Sequence, residues 1–284
     1  MRFKSSRSVK PGRAKKRFGQ HFLAPEWVVK VLKVIAARPD DTFLEIGPGG
    51  GALTRPLAAA ARTVIAFEID RDLAGDLRAD PPPNLSVVEG DFLDITRERL
   101  REATDAAGVP RDAPLRVAGN LPYNVASPIL FALAALHTSG IPLVDVTVML
   151  QKEVAERLLA PPGTKAYGVL SVLIRHHADV DRLLSLPPGA FRPAPKVHST
   201  VVRLRFHPAE PKPAAPAVFT ALTQAVFTRR RKTLNNALLA FEPSARLPPQ
   251  DALRAAGIDG IRRPETLTIP ELVRLSDVYA SAVL

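Results

Sequence analysis

The chain of 284 residues contains no cysteine. Disulfides, thiolate zinc sites and a cysteine nucleophile are therefore excluded. Long apolar runs are absent as well. The longest mostly apolar stretch, Val125 to Leu136, is 12 residues long and is interrupted by Ser127 and Pro128, too short to span a bilayer. No apolar core segment marks a secretory leader, so a cytoplasmic location is expected. Acidic residues are missing from the first 17 positions, which hold eight Lys/Arg: Arg2, Lys4, Arg7, Lys10, Arg13, Lys15, Lys16 and Arg17. Nor does an unexplained apolar stripe suggest self-association, and a monomer is expected.

What is present is positive charge. The formal net charge is +11 and the isoelectric point is about 10.3. Such a balance implies a polyanionic partner, nucleic acid first and an anionic membrane second. A uniformly arginine-rich surface would spread this charge. Here it gathers in residues 1–17 and again at Arg229-Arg230-Arg231-Lys232. Residues 1–17 read as a basic arm broken by Pro11-Gly12. A mitochondrial presequence is also basic and acid-poor, but the arm has few apolar residues to form one. A hydrophobic content of 46% is normal for a globular protein.

Behind Phe18-Gly19-Gln20-His21-Phe22-Leu23, an amphipathic helix is expected from Pro25 to Ala37, with Val28, Val31, Leu32 and Ile35 on one face. His21 has no partners at metal-ligand spacing and reads as a hydrogen-bonding or packing histidine. Short apolar strands then alternate with helices: Thr42–Ile46, a helix over Ala52–Ala61, Thr63–Phe67, a helix over Arg71–Ala79, and Leu85–Val88. This alternation predicts a doubly wound α/β domain. Further strands are expected at Val144–Leu150, Val180–Leu186 and Ser199–Phe206. Pro208 to Pro216 holds four prolines and reads as a linker. The rest reads as helical, with Thr268-Ile269-Pro270-Glu271 forming a capping box before the last helix. The predicted organisation is a basic arm 1–17, a Rossmann-like domain 18–207, a linker 208–216 and a helical RNA-binding domain 217–284.

Three strand ends carry ligand-type residues. Glu45-Ile46-Gly47-Pro48-Gly49-Gly50-Gly51 follows the first, Glu68-Ile69-Asp70 the second and Gly90-Asp91-Phe92 the third. Glycines let a ligand approach the backbone. Glu68 comes 21 residues after Gly47, a spacing suited to gripping a ribose. Asp91 is placed to accept from the amino group of an adenine. Ligands of such folds bind beyond the C-terminal strand ends, so these residues would line one crevice. Gly47-x-Gly49-x-x-Ala52 also satisfies the dinucleotide fingerprint, which keeps a hydride-transfer enzyme as a rival. Glu45 argues against a pyrophosphate there but suits a cationic amino-acid ligand.

Asn120-Leu121-Pro122-Tyr123 ends a fourth short apolar run, Leu115 to Ala118. The Asn120 side-chain oxygen and the Leu121 carbonyl, ahead of Pro122, can both accept from one exocyclic amino group, while Tyr123 offers a face on which a base stacks. A strand-ending turn is the plainer reading of the same residues. Phe191-Arg192-Pro193-Ala194-Pro195-Lys196-Val197 is a proline-stiffened loop with one aromatic and two cations. Phe191 either stacks on a flipped base or is tucked into the core. The Arg229–Lys232 cluster suits RNA backbone contacts, against a solvated cationic helix face.

Taken in order, these motifs resemble the rRNA adenine N6-dimethyltransferases, most closely the KsgA type acting on small-subunit rRNA. Arg229-Arg230-Arg231-Lys232-Thr233-Leu234-Asn235-Asn236 is similar to that group's C-terminal domain. His21 departs from the family, which usually has Asn there. The resemblance implies a Rossmann-like S-adenosylmethionine-dependent methyltransferase domain with a small C-terminal helical domain, and no metal. His21 and Leu23 would cover the donor, Gly47 and Gly49 would border its methionine part, Glu68 would hold the ribose hydroxyls and Asp91 the adenine amino group. Asn120 would stand near both donor and target, with Leu121, Pro122, Tyr123 and Phe191 completing the catalytic site. Arg192, Lys196, Arg229, Arg230, Arg231 and Lys232 would meet RNA. The implied substrate is 16S rRNA in the small ribosomal subunit or its assembly intermediate. Erm-type methylation of large-subunit rRNA and a non-catalytic ribosome-assembly factor are the alternatives.

Overall fold

The computed structural model describes residues 21–283. The basic arm 1–17 and the motif residues Phe18, Gly19 and Gln20 lie outside the described residues. In chain order the elements are β1 (Phe22–Leu23), α1 (Pro25–Ile35), β2 (Thr42–Ile46), α2 (Thr54–Ala60), β3 (Thr63–Glu68), α3 (Arg71–Ala79), β4 (Leu85–Glu89), α4 (Arg97–Ala106) and β5 (Leu115–Asn120). There follow α5 (Ala126–Thr138), β6 (Leu143–Gln151), α6 (Lys152–Leu159), α7 (Val169–Arg175), β7 (Ala178–Leu186), β8 (Phe191–Arg192) and β9 (Ser199–Phe206). The chain closes with α8 (Pro216–Thr228), α9 (Leu234–Ala237), α10 (Pro249–Ala256) and α11 (Ile269–Val283). The larger sheet runs β4-β3-β2-β5-β6-β9-β7, and β1 pairs with β8 in a two-stranded ribbon.

The described chain divides into two compact units. The first holds the residues up to Ala126 with Thr147–Leu150 and Leu184–Val201, and the second holds Ser127–Val146, Gln151–Leu183 and Val202 onward.

In the first unit, β2 lies between β3 and β5, parallel to both, and β4 extends the sheet beyond β3. All five residues of β2 are buried, as expected of a strand covered on both faces. Register pairs Ile46 with Phe67 on one side and with Gly119 on the other. The parallel arrangement therefore brings Gly47, Glu68 and Asn120 to one edge of the sheet, where the strand order reverses around β2 and β5. Gly119 is required there: a Cβ would sit 2.5 Å from the Ile46 carbonyl oxygen. Helix α1 opens with Pro25, has Glu26 in its first turn and Lys33 in its last, and buries Val28, Val31 and Ile35, so local signals and core burial agree. Its last carbonyls, Ile35 O and Ala36 O, accept from Arg116, whose guanidinium also pairs with Asp41 at 2.6 Å.

The helix expected from Ala52 starts at Thr54, because turns fill the stretch after Gly51, whose φ is +79°. The charged stretch 94–114 contains α4, whose start is capped by the Thr96 hydroxyl accepting from Arg99 N.

The second unit has its own apolar core, in which Tyr167, Phe219, Leu222, Val226, Leu238, Leu253, Leu272 and Tyr279 are buried together. The capping box expected at α11 forms: Glu271 Oε2 accepts from Thr268 N at 2.8 Å and Thr268 Oγ1 accepts from Glu271 N at 3.3 Å.

Candidate active site

One cavity in the first unit is lined by His21, Leu23, Gly47, Gly49, Glu68, Asn120, Leu121, Pro122 and Tyr123, with Phe22, Glu45, Ile69 and Met149 among their neighbours. Residues from β1, the turn after β2, the end of β3 and the end of β5 thus converge.

The glycine loop is shaped by positive φ at Gly47 (+70°), Gly49 (+57°) and Gly51 (+79°), angles that side-chain-bearing residues rarely adopt. A Cβ on Gly49 would also come within 3.0 Å of the Phe22 ring. Glu68 ties the loop to its own strand end. Its Oε2 accepts from Gly49 N at 2.9 Å and its Oε1 from Asp70 N at 2.9 Å. Burial raises the Glu68 pKa, and these backbone bonds oppose the rise.

Glu45 is 1% exposed and its Oε2 has no hydrogen-bond partner. Burial, with the neighbouring charge of Glu68 adding to it, pushes its pKa up to about 8. A buried carboxyl with one oxygen left without a partner at a cavity wall is costly unless a ligand completes it. An ammonium group would do so. The loop, the unpartnered Glu45 oxygen and Glu68 beside it fit an amino-acid-bearing nucleoside such as S-adenosylmethionine.

At the end of β5, Asn120 Nδ2 donates to the main-chain carbonyl of His21 at 2.7 Å. Leu121 N donates to Met149 O at 3.3 Å. Tyr123 is half-buried. Its hydroxyl shares a hydrogen bond with Ser199 Oγ at 2.7 Å, and burial raises its pKa. Its ring is stacked against the His21 imidazole, with centroids 5.4 Å apart. His21 Nδ1 in turn meets Pro193 O at 2.8 Å.

Other expected site residues lie apart from the cavity wall. Phe191 is 0% exposed, because β1–β8 pairing sets it opposite Leu23. Of the two readings for this ring, the structure presents the core residue. Asp91 uses one carboxylate oxygen locally, Oδ1 accepting from Leu93 N at 2.9 Å at the start of a short 3₁₀ turn. Arg192 donates to the carbonyls of Gly189 (3.0 Å) and Phe191 (2.9 Å), whereas Lys196 is exposed. In the second unit, Arg231 and Lys232 are exposed. Arg229 donates to Asn236 O at 3.3 Å. Arg230 is held inside its own unit: it donates to Lys165 O at 2.8 Å and pairs with Glu265 at 3.5 Å.

Sequence reasoning missed Met149 and Ser199. Met149 sits in a near-continuous apolar strand and Ser199 opens another, so neither carries a local signal. Ile69, 44% exposed at the cavity edge, offers an apolar surface that only its place after Glu68 could have suggested. Among the described residues, no group of three or more His, Asp or Glu could hold a metal ion, and no helix is long and apolar enough to cross a membrane.

Comparison with known proteins agrees with this geometry. A family model for ribosomal RNA adenine dimethylase matches residues 12–277. The chain is 42% identical to the ribosomal RNA small subunit methyltransferase A of Laribacter hongkongensis over 93% of this chain and 95% of that protein. It is likewise 42% identical to the protein of that name from Acinetobacter baylyi, over 93% and 92%. Among solved structures, a dimethyladenosine transferase from Plasmodium falciparum superposes with a TM-score of 0.70 at 26% identity, covering 90% of this chain and 96% of that one. The 23S rRNA methyltransferase ErmE gives 0.60 at 26% identity, covering 91% and 99%. From the match along nearly its whole length, the chain belongs to the ribosomal RNA adenine dimethylase family.

Proposed function

We propose that this protein dimethylates N6 of adenines in small-subunit (16S) rRNA, using S-adenosylmethionine as methyl donor, during ribosome maturation in the cytoplasm and as a monomer. The observation that carries the reading is the convergence of Asn120-Leu121-Pro122-Tyr123 with the glycine loop and Glu68 on one cavity. Relatives named as small-subunit methyltransferases at 42% identity support the choice of subunit.

When bound, S-adenosylmethionine supplies an electrophilic methyl group on a sulfonium. Glu45 would take the donor's ammonium group, Glu68 its ribose hydroxyls and Ile69 one face of its adenine. Gly47 and Gly49 would border the methionine part, under His21 and Leu23. Asp91 keeps the adenine-amino role through the carboxylate oxygen its cap leaves over.

The amino nitrogen of adenine is a poor nucleophile because its lone pair is delocalised into the ring. Asn120 Oδ1 and the Leu121 carbonyl, held by the turn at Pro122, would accept its two N–H groups. That draws N6 toward a tetrahedral geometry and frees the lone pair. Tyr123 would stack the flipped base. No general base is needed before attack, since the proton leaves a nitrogen that has become cationic. The chain's contribution is positioning and placed acceptors. Phe191, buried opposite Leu23 within the β1–β8 ribbon, would support this site from the core. Lys196, Arg231 and Lys232 supply exposed charge for the RNA backbone, with Arg192, Arg229 and Arg230 beside them.

The likeness to ErmE favours a second reading, with the same chemistry on large-subunit rRNA. Transfer of labelled methyl from S-adenosylmethionine to unmethylated small subunits, with large subunits and naked rRNA alongside, separates the two. Label confined to the small subunit supports the proposal. Label in the large subunit moves the protein to the Erm-type reading, and rRNA binding without transfer points to an assembly factor.

A further inference from the structure

Tyr123 is the ring that the proposed function offers to the target base, and one of its faces is already covered. The His21 imidazole lies against it with centroids 5.4 Å apart and planes inclined by 26°, within the range of offset stacking. The two rings are held differently. Tyr123 is fixed at its far end by the hydrogen bond to Ser199 Oγ, at 2.7 Å. The imidazole is half-exposed and is tethered through Nδ1 to Pro193 O, at 2.8 Å on the exposed loop.

The main chain of His21 is secured independently of its ring. Its carbonyl accepts from Asn120 Nδ2 at 2.7 Å, and the next residue, Phe22, pairs with Arg192 across the β1–β8 ribbon. The ring can therefore turn about χ1 while the backbone and the Asn120 amide stay where they are. Side-chain rotation of this kind in a half-exposed residue is fast compared with turnover.

We propose that the His21 ring is a place-holder for the target base. It fills the stacking position on Tyr123 in the RNA-free protein and swings aside when the flipped adenine enters. The inference rests on the reading of Tyr123 as the base-stacking residue. An imidazole matches the five-membered half of a purine in shape and thickness, so it keeps the Tyr123 face covered until the base replaces it. His21 is then a positioning residue that acts through Tyr123. Because the ring must leave before the base can stack, its presence weakens RNA binding. The Asn120 acceptor stays aimed throughout, since the His21 carbonyl that orients it does not move with the ring.

Three substitutions separate the ring from its tether. His21→Asn keeps a donor near the Nδ1 position and removes the ring. His21→Phe keeps a ring and removes the tether. His21→Ala removes both. Steady-state methyl transfer to unmethylated small ribosomal subunits gives KM for RNA and kcat for each, and calorimetry gives donor affinity separately. The expected result is a fall in KM of about two- to tenfold, the size of one aromatic stack, in both His21→Asn and His21→Ala. The assays are run at saturating donor, so that any change in donor affinity read by calorimetry stays out of the comparison, and His21→Phe shows no such fall. An unchanged or raised KM in His21→Asn and His21→Ala, with the unaltered protein active, overturns the place-holder while leaving the proposed function standing. Absence of transfer to any rRNA by the unaltered protein overturns both.

Discussion

Asn120 Nδ2 donates to the main-chain carbonyl of His21 at 2.7 Å. With the donor end of the amide committed, the end left to meet a substrate is the acceptor, Oδ1. An amide can turn either way round, and the bond to His21 fixes the orientation that accepting from an amino group requires. Asn120→Ala is expected to lower kcat by about a hundred- to a thousandfold, the usual loss for one placed hydrogen-bonding group. Donor affinity, measured by calorimetry, should change little.

Glu45 makes donor binding depend on pH. In the free protein its pKa stands at about 8, so the carboxyl must lose a proton before it can pair with an ammonium group. Donor affinity is therefore expected to weaken as pH falls below 8, by as much as about tenfold per unit. Calorimetry in buffers of different ionisation enthalpy should register proton release. Glu45→Gln should bind the donor more weakly and without this pH dependence. The same group lowers stability as pH rises from 4.5 to about 8, where the folded chain keeps a proton the unfolded chain has lost.

Gly119→Ala tests the close approach of β5 to β2. The added methyl would stand 2.5 Å from the Ile46 carbonyl oxygen, and both strands are central. A stability loss of about 2–4 kcal/mol is expected, read as a lower midpoint in urea with an unchanged slope.

The basic cluster should divide under substitution. Arg231→Ala and Lys232→Ala each remove an exposed charge. They are expected to weaken rRNA binding and to reduce its salt dependence by about one unit of slope apiece. Arg230→Ala instead releases the bonds to Lys165 O and Glu265. It should lower thermal stability as well as RNA affinity.

Glu271 provides an acid-sensitive tie in the second unit. The Arg262 guanidinium, at 2.6 and 3.2 Å, and the Thr268 cap hold its pKa down at about 2. The contribution is present above the unfolded value of 4.5 and is lost as pH falls through about 2. Glu271→Gln should cost about 1–3 kcal/mol at neutral pH and flatten the acid limb of the stability curve.

Much of the site was legible because parallel strands deliver their C-terminal ends to one edge. A glycine loop, an acid and an amide at three such ends could be placed together from sequence alone. Phe191 was not decidable, since the two-residue ribbon that buries it opposite Leu23 is too short to leave a periodic signal. Asp91 read as a free ligand, and only the structure shows its carboxylate capping the next turn. Arg230 looked equivalent to its neighbours. What distinguishes it is a bond to a carbonyl 65 positions away, which no local pattern encodes. The His21–Tyr123 stack is non-local in the same way.

The most direct test is nucleoside analysis by mass spectrometry after incubating unmethylated small ribosomal subunits with S-adenosylmethionine and either the unaltered protein or Asn120→Ala. The account predicts N6,N6-dimethyladenosine with the unaltered protein, and almost none with Asn120→Ala although that variant still binds the donor. Dimethyladenosine formed at a near-normal rate by Asn120→Ala, or a methylated nucleoside other than adenosine from the unaltered protein, would contradict it.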